Sequence, residues 1–592
     1  MDHRAVAAEG VERRPLAQRA AWIEGAALAT VVGLVLWAGG DVVRTSYHGY
    51  LHATIGEAVR AEGLQPENPY HAGEPLRYYT LYPWLGAWLG ALGLGTMAAF
   101  AWLQVVGALL FGPALDALGR ALGLQWASRR IAFWLAVVGF NAVGWLGWWA
   151  HPPTEIAVPV FAFESLTFAG GALGWDARLQ AFLPKFLNVS SFALALPSVL
   201  WAMAAAWRAR SQEGSAWKIL LPAGVALAVN PLAGGFAGVV LLVWGLPRLI
   251  AGQMQERLAW VGAGAGACAL ALPFLLPALV AAPEGMSLTG TVRFEHDGIS
   301  NALGPLWLLL PFAIVGQVSL ALRQKTLAWI FPAALAIVLA AFTQLPWGNE
   351  YKLVRLAGLV LALSAAGCLG ASLRMRWIAL AWVLFALPTT VLVVKTYLDW
   401  GKNGIQPALV HADGRWQPGP EVKEQGLPST VHAALLQEPR ESVLWMNPIH
   451  PGTAQVRGLV QGNVLAPALG HALFVDTPQI HNDRYVDLAE RLAWTVGSSN
   501  LGRVFGEQRA RLMLASLPES GQPGLWQGTS LQDASAGLRA ARRHLADRGF
   551  LVLTQSDFPF VEEALTQAGA ERVASETGIS LWRLAPETPA AN

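Results

Sequence analysis

The sequence predicts an all-α polytopic membrane domain of about 11 transmembrane helices followed by a soluble α/β C-terminal domain. Of the 592 residues, 54% are hydrophobic and only 14% are charged, whereas a typical soluble domain is roughly 25% charged. Apolar windows of about 20 residues, the length that crosses a bilayer core of ~30 Å, recur along the first two thirds of the chain. Acidic residues are uneven: 20 of the 39 fall in the last 196 residues. These observations place a membrane domain at 21–396 and a soluble domain at 397–592.

The composition also excludes some classes of partner and cofactor. The formal net charge is only +2, so no strong electrostatic field favours nucleic acid. Both cysteines, Cys268 and Cys368, lie within apolar runs, which argues against a disulfide and against a metal cluster. The 27 tryptophans suit the two membrane–water interfaces.

The apolar windows define the predicted spans. Residues 218–247 form an apolar pair divided at Asn230-Pro231, which predicts two short helices meeting near the outer surface. With that pair the count is eleven. The other nine windows are 21–40, 96–118, 131–150, 190–207, 258–281, 304–322, 326–344, 353–373 and 377–396.

Basic residues predict the orientation of the spans. With a cytoplasmic N-terminal segment (1–20), sixteen lysines and arginines of the membrane region fall inside and nine outside, as the positive-inside rule requires. Eleven spans then place the C-terminal domain outside an inner (plasma) membrane. The long loops 41–80, 151–189 and 282–303 lie on that outer side, together with 11 of the 12 histidines. The functional site is therefore expected on the outer face of the membrane.

The first outer loop carries the most informative stretch of sequence. Asp41 follows the first span, and 50–62 reads as an amphipathic helix whose apolar face carries Leu51, Ile55, Ala58 and Val59. Such a helix is expected to lie on the membrane surface. Behind it comes PENPYHAGEPLRYYTLYP, which holds polar and aromatic side chains beside the bilayer.

This loop resembles that of the GT-C superfamily of polytopic membrane glycosyltransferases, in particular poorly characterised bacterial and archaeal members. Their loop reads roughly D-x-P-F-H, then P-P-x-x-P-x-x-A-G-x-x-L-x-Y. The resemblance implies an inverting enzyme that transfers a sugar from a polyprenyl-phosphate donor to a hydroxyl of a lipid, glycan or protein on the outer face. No cofactor besides this donor substrate is specified by the sequence; a divalent metal is compatible with it but is not indicated by any motif.

A hydroxyl acceptor needs a general base, and the resemblance offers two candidates. Asp41 matches the family's acidic position by its place after the first span. Alignment on the histidine instead puts His52 on the family histidine and His48 where the acid stands. The base is thus Asp41 or His48, supported by His52. Alternatively, Asp41 caps a helix, and the two histidines are a solvated pair or metal ligands, although no HExxH motif is present.

Donor phosphate needs cations, and three basic residues lie at the outer ends of predicted spans. Lys185 precedes the fourth span, where snorkelling is the alternative explanation. Lys352 and Arg355 open the span after Glu350, at a helix end that ordinarily prefers anions. Either Glu350 or a phosphate can supply that anion, and family members often carry basic residues at this depth.

Arg77, Tyr78 and Tyr79 complete the candidate substrate-binding residues, together with Glu350. Interfacial anchoring is the competing explanation for the tyrosines.

The C-terminal domain is predicted to contain strands at 442–446, 472–475, 511–515 and 550–553, and helices near 484–495 and 532–548. Its last part reads as strand, helix, strand, strand. It carries no nucleotide-binding, nucleophile-elbow or CxxC motif, so independent chemistry is not expected there.

Two other functions compete with glycosyl transfer: a transporter or flippase of a lipid-linked substrate, and a non-catalytic assembly protein for surface polysaccharide. The spans hold almost no ionisable residue away from their ends, which argues against ion-coupled transport.

Overall fold

The structure is a computed structural model, and it describes residues 14–140, 142, 144–146, 182–279, 291–292, 302–344, 351–403, 409–412, 415–418, 428–439, 441–446, 471–475, 487–496, 530–555 and 559–586. The described helices are α1 (Arg14–Ala38), α2 (Gly40–Glu62), α3 (Leu81–Leu89), α4 (Thr96–Ala121), α5 (Trp126–Val137), α6 (Pro184–Leu187), α7 (Ser191–Arg210), α8 (Leu220–Val229), α9 (Pro231–Ala251), α10 (Met254–Leu279), α11 (Leu310–Gln324), α12 (Ile330–Phe342), α13 (Tyr351–Leu369), α14 (Leu373–Asn403), α15 (Ser429–Gln437), α16 (Leu488–Val496), α17 (Leu531–His544) and α18 (Pro559–Gln567).

The described strands are β1 (Thr291–Val292), β2 (Thr343–Gln344), β3 (Leu409–Ala412), β4 (Arg415–Pro418), β5 (Val443–Met446), β6 (Phe550–Gln555), β7 (Glu571–Glu576) and β8 (Ile579–Leu584). The chain divides into two compact units. The first, here the helical unit, comprises Met1–Gly49, Met97–Leu275 and Gly290–Gly404. The second, here the mixed unit, comprises Tyr50–Thr96, Leu276–Thr289 and Ile405–Asn592.

Helix length and composition confirm the predicted membrane domain. Within the described residues, seven helices are long and apolar enough to cross a bilayer: α1, α4, α7, α9, α10, α13 and α14. Each coincides with one of the eleven predicted spans. The other four predicted spans correspond to the shorter helices α5, α8, α11 and α12.

The predicted division at Asn230-Pro231 is confirmed, and its cause is local. The prediction of two short helices holds only for α8, which has 10 residues, whereas α9 has 21 and is long enough to span the bilayer. Pro231 cannot donate a backbone hydrogen bond to the preceding turn, so α8 ends at Val229 and α9 begins at Pro231. The side chain of Asn230 caps the new helix by accepting from the Ala233 backbone nitrogen at 3.1 Å. An extended residue with a short polar side chain is the usual way to start a helix.

Small and aromatic residues set the packing inside the helical unit. A Cβ placed on Gly316 of α11 would lie 1.8 Å from the Ser364 carbonyl oxygen of α13, so only glycine permits this close approach. Beside this contact, the rings of Trp207, Trp244 and Trp329 pack edge to face or tilted at 4.9 to 5.9 Å. Trp329 Nε1 donates to the Ser364 hydroxyl at 2.9 Å, which satisfies a buried polar group of each partner.

Buried charges of the helical unit are paired near one end of its helices. Asp116 accepts from Arg129 Nε at 2.8 Å and lies 3.0 Å from Arg120 Nε. Arg130 bridges Asp116 and Glu24. Pairing of this kind offsets the desolvation cost of buried ions, and it explains how two carboxylates are accommodated at the ends of predicted spans.

The mixed unit contains a four-stranded sheet with the order β5-β6-β8-β7. β5 and β6 are parallel, whereas β6–β8 and β8–β7 are antiparallel. The predicted order of strand, helix, strand, strand at the end of the chain is confirmed as β6, α18, β7 and β8. The predicted strands at 442–446 and 550–553 are also found, while 511–515 lies outside the described residues.

The predicted strand at 472–475 forms only a single parallel bridge, between Leu444 and Leu473. Leu473 then donates its backbone N–H to the Pro69 carbonyl at 2.9 Å, and Ala72 donates to the Leu473 carbonyl at 2.8 Å. These residues therefore continue the hydrogen bonding from β5 to the segment that follows α2.

The apolar face of α2 has a different environment from the one predicted. Leu51, Ile55 and Val59 are at most 5% exposed and belong to a hydrophobic cluster that includes Leu551 and Leu581 of the sheet. The prediction that this face lies on the membrane surface is therefore wrong. An apolar face on a helix predicts that this face is buried, but not whether lipid or protein covers it. Here the β-sheet of the mixed unit covers it.

Candidate functional site

The three candidate base residues lie on one helix. α1 ends at Ala38 and α2 starts at Gly40, so only Gly39 separates the two helices. Gly40 has a backbone angle φ of 69°, in the left-handed region that glycine favours. Asp41 is thus in the first turn of α2, rather than in an irregular loop. Positions 41, 48 and 52 are two turns and then one turn apart, which places them along one face of α2. Only the His52 side chain lies within the described part.

His52 is surrounded by tyrosines. It is 3% exposed, and its ring centroid lies 4.8 Å from that of Tyr82, edge to face, and 6.1 Å from that of Tyr78. Tyr78 in turn stacks on Tyr79 at 4.1 Å. Tyr78 and Tyr82 are buried, whereas Tyr79 is partly exposed. The run of tyrosines therefore forms the wall behind His52, and Tyr79 is its accessible member.

Arg77 is half-buried beside this wall, and its Nη2 donates to Glu74 Oε2 at 3.3 Å. The fourth predicted substrate-binding residue, Glu350, lies outside the described residues, as does most of the predicted loop 151–189 and most of 282–303.

In the helical unit, a layer of buried polar groups surrounds the start of α7. Tyr397 of α14 donates from its hydroxyl to Asn188 Oδ1 at 2.7 Å. Asn230 Nδ2 donates to the Ser191 hydroxyl at 2.9 Å. Gln104 of α4 donates from its amide to the Ser190 carbonyl at 3.1 Å. Three spans are thereby joined to the segment 188–191. We call these hydrogen-bonded residues the polar layer: Gln104, Asn188, Ser190, Ser191, Asn230 and Tyr397.

The polar layer and the arginine-rich helix ends lie on opposite sides of the helical unit. α7 runs for 20 residues from Ser191, in the polar layer, to Arg210. At 1.5 Å per residue this is about 30 Å, the thickness of a bilayer core. The predicted orientation puts Arg208 and Arg210 inside, so it puts the polar layer at the outer face.

Lys185 lies three residues before the polar layer. It belongs to the single turn α6, follows the helix-starting Pro184, and is only 1% exposed. Phe182 and Phe186 on either side are also buried, with ring centroids 5.8 Å apart. A snorkelling lysine keeps its ammonium group in water. Since Lys185 is enclosed by protein, snorkelling does not describe it.

Arg355 is enclosed to the same extent, at 1% exposure, in the second turn of α13. The opposite end of this helix is fixed by Gly370, where an added Cβ would lie 2.1 Å from the Ser128 hydroxyl oxygen, next to the paired Arg129. Arg355 is therefore at the end of α13 that faces away from the arginine-rich side. Lys352, one turn earlier, is half-buried. The predicted phosphate-binding residues Lys185 and Arg355 thus occupy the same end of the helical unit as the polar layer.

A separate ionic cluster lies in the mixed unit, and the sequence did not predict it. Asp487 Oδ1 accepts from His71 Nε2 at 2.8 Å, and Asp487 Oδ2 lies 2.6 Å from both His544 Nε2 and Arg491 Nε. Arg491 is 1% exposed and also donates to the carbonyls of Ala72, at 2.6 Å, and Phe474, at 2.8 Å. The cluster therefore connects the first-loop segment to helices α16 and α17.

Burial and pairing shift the pKa values within this cluster. Desolvation lowers the pKa of His71 from its ordinary 6.5 to about 4, so its ring is neutral near pH 7 and donates from Nε2. Hydrogen bonds from His544 and His71, with the charge of Arg491, outweigh burial and hold the pKa of Asp487 well below its usual range. Burial lowers the pKa of Arg491, which Asp487 partly offsets. Asp487 is thus a permanent anion that orders two histidines and an arginine.

Metal binding has no assembled site in the part of the chain that the structure describes. No group of three or more His, Cys, Asp or Glu side chains is placed there to hold an ion.

Comparison with solved structures finds six similar chains, two of which are described here. No known family model matches this chain, and neither does any curated protein. The chain is similar to the crystal structure of ArnT from Cupriavidus metallidurans in the apo state, with 12% identity over 95% of this chain and 98% of that chain and a TM-score of 0.49. It is similar to ArnT from the same organism bound to undecaprenyl phosphate, with 12% identity over 95% of this chain and 99% of that chain and a TM-score of 0.45. At these values the likeness concerns the path of the chain and assigns neither residues nor activity.

Proposed function

We propose that this protein is a membrane glycosyltransferase that moves a sugar from a polyprenyl-phosphate donor to a hydroxyl group at the outer face of the membrane. The acceptor is a lipid, a glycan or a protein. The first-loop resemblance supports the reaction class, and the enclosed cations of the helical unit support a phosphate-bearing donor.

The observation that carries the proposal is the burial of Lys185 and Arg355, each 1% exposed, at the same end of the helical unit as the polar layer. A cation enclosed by protein interacts with a phosphate much more strongly than one in water, because the local dielectric constant is lower. Arginine can hold two phosphate oxygens at once, while lysine acts as a point charge. This pair therefore suits a phosphate that must be bound and then stabilised as a leaving group.

The proposed reaction is a single displacement. The acceptor oxygen forms a bond to the anomeric carbon while the bond from that carbon to the donor phosphate oxygen breaks. The electron pair of the broken bond stays with the polyprenyl phosphate, whose charge Lys185, Lys352 and Arg355 neutralise. The proton of the acceptor hydroxyl passes to a base on α2, and attack from the opposite face inverts the anomeric centre.

Asp41 is the first candidate for that base, and His48 is the second. Both positions share one face of α2 with His52, whose ring is fixed by the buried Tyr82. Arg77 and Tyr79 are proposed to contact the sugar or the acceptor, because they are the accessible members of the segment behind His52.

The donor site is tested by binding of undecaprenyl phosphate to the purified full-length chain. We expect Lys185→Gln and Arg355→Gln each to raise the Kd about ten- to hundred-fold, the usual value of a hydrogen bond to a charged group. Lys395→Gln is the matched control, because Lys395 is exposed and lies two residues before Tyr397 of the polar layer. This control should bind like the unmodified protein.

Turnover separates the proposed function from its alternatives. Radiolabelled polyprenyl-phosphate sugars, supplied as a panel with membrane extracts as acceptor, should yield labelled product and free polyprenyl phosphate. Lipid binding that is insensitive to Lys185 and Arg355 would overturn the donor site. Normal binding accompanied by flipping of the lipid across vesicles, without any product, would instead establish a transporter.

A further inference from the structure

A cavity lies in the helical unit, at the arginine-rich ends of its helices. It has a volume of about 480 Å³ and is formed by the second half of α7, the turn after it, the start of α8 and Ala117 of α4. This volume falls within the range of ~300–1,000 Å³ that is typical of small-molecule sites. The proposed donor site lies at the other end of α7, about 30 Å away by helix length, so the two sites are distinct.

The walls of this cavity are amphipathic along the direction of the helices. Toward the middle of the membrane they are apolar, with Trp201 of α7 and Leu221 and Val225 of α8. Toward the helix ends they are charged, with Arg208 and Lys218 as cations and Glu213 as the single anion. The charged part of the lining therefore has a net charge of +1, and it lies next to the apolar part of the cavity.

Both cations are accessible for a ligand. Arg208 is half-buried and Lys218 is exposed. Within the described part of the chain, neither side chain forms an ion pair with a carboxylate. Glu213 shares the cavity, and its backbone N–H donates to the Arg208 carbonyl at 2.8 Å. The cavity mouth thus lies in a locally positive field.

Position in the membrane defines the ligand chemistry. Leu221 of the lining is 62% exposed, and Trp217, the residue before Lys218, is 53% exposed, so the cavity lies beside an apolar surface that the predicted spans would present to lipid. Basic pockets between helices at the cytoplasmic membrane surface are suited to anionic lipid headgroups. We propose that this cavity binds one anionic phospholipid of the inner leaflet, with its phosphate between Arg208 and Lys218 and part of an acyl chain against Trp201.

The proposal is tested by native mass spectrometry of the purified full-length chain with added dioleoyl phosphatidylglycerol or dioleoyl phosphatidylcholine. The two lipids have the same acyl chains and differ in headgroup charge. We expect phosphatidylglycerol to be retained at least fivefold better. The double variant Arg208→Gln/Lys218→Gln should lose roughly 10- to 30-fold in affinity for it, which is about fivefold for each basic residue near a charged surface.

The matched control is Arg323→Gln/Lys325→Gln. It also removes one arginine and one lysine, both exposed, at the end of α11, and it should leave lipid retention unchanged. Glu213→Gln should strengthen retention of phosphatidylglycerol, because it removes the only anion from the lining. Ala205→Trp, which fills the cavity without changing charge, should weaken it.

Four outcomes would overturn the proposal. Equal retention of both lipids, or equal losses in the two double variants, would show that the charges of this cavity do not select the ligand. Unchanged retention in Ala205→Trp would place the lipid elsewhere. Competition by millimolar glycerol phosphate as effective as that by the lipid would identify a site for soluble phosphate. Undecaprenyl phosphate binding at Lys185 is measured separately, so failure here leaves the proposed function intact.

Discussion

His71 and Asp487 are 416 residues apart in the chain and are joined by a hydrogen bond of 2.8 Å from His71 Nε2 to Asp487 Oδ1. The His71 side chain is completely buried, and Asp487 also binds the buried Arg491. This bond shows that the first-loop segment and the C-terminal helices form one folded unit. The first-loop segment is therefore held in place by contacts with the C-terminal part of the chain.

Removal of the Asp487 charge should destabilise the mixed unit strongly. In Asp487→Asn, Arg491 remains a buried cation without its carboxylate, a change that typically costs ~3–5 kcal/mol. We expect a clearly lower thermal midpoint for the full-length chain in detergent. Glu563→Gln, at an exposed position of α18, is the control and should melt normally. Equal midpoints for the two variants would contradict the role of the cluster.

Stability should fall with acid in a window that His71 sets. Its folded pKa of about 4 lies below its ordinary 6.5, so the folded state binds fewer protons than the unfolded chain between these pH values. The contribution is complete above pH 6.5 and is lost as the pH falls toward 4, on the order of 3 kcal/mol in total. The depressed pKa of Asp487 adds a further loss below its ordinary 3.8. Thermal midpoints measured from pH 7.5 to 4.5 should fall less steeply in His71→Gln than in the unmodified protein. Glutamine keeps a hydrogen-bond donor for Asp487 but does not titrate. Parallel curves for the two proteins would contradict this assignment.

The close approach of α11 and α13 should not tolerate a side chain at Gly316. In Gly316→Ala the new Cβ meets the Ser364 carbonyl oxygen at 1.8 Å, and backbone cannot move aside as a flexible side chain can. The two helices must separate, so the thermal midpoint should fall by several degrees. Gly238→Ala in α9 is the control: its Cβ meets nothing within 4 Å, and its stability should be equal or slightly higher.

Asp41→Asn should abolish sugar transfer while the amount of protein in the membrane stays unchanged, because an amide cannot accept the acceptor's proton. Normal turnover in Asp41→Asn, together with inactivity of His48→Gln, would transfer the role to His48.

The orientation can be measured with a reporter enzyme that is active only outside the cytoplasm. Fused after Asn592, it should be active, because the eleven spans predicted from the sequence would carry a cytoplasmic N-terminus to an outer C-terminus. A cytoplasmic C-terminus would reverse the assignment of both the polar layer and the Arg208 cavity. Truncation of the reporter fusion after Lys325, within the connection between two spans on the predicted inner side, provides the opposite control and should be inactive.

Local sequence signals predicted the helices well. An apolar window of about 20 residues has only one stable conformation in lipid, a helix that satisfies its own backbone hydrogen bonds. The break at Asn230-Pro231 is equally local, because it follows from the missing N–H of proline. The strands β5 and β6 and the order of elements at the end of the chain were predicted from periodicity for the same reason.

Contacts between distant segments were not predictable in this way. The apolar face of α2 was correctly identified, but periodicity does not distinguish a lipid surface from a protein sheet, and Leu51 and Ile55 pack against the sheet. His71 stands within the first-loop motif, yet nothing in its spacing points to Asp487 or Arg491. Contacts of this kind depend on the tertiary fold, which brings residues far apart in the sequence next to each other.

The sequence by itself determined that this is a helical membrane protein with an appended α/β domain, because hydropathy and charge fix which segments can enter lipid. It also identified Lys185 and Arg355 as cations near one face. Only the tertiary structure decided that both are enclosed by protein, that the tyrosines form a wall behind His52, and that the first loop and the C-terminal sheet share a core. Burial depends on what packs around a residue, and that information resides in contacts between residues far apart in the chain.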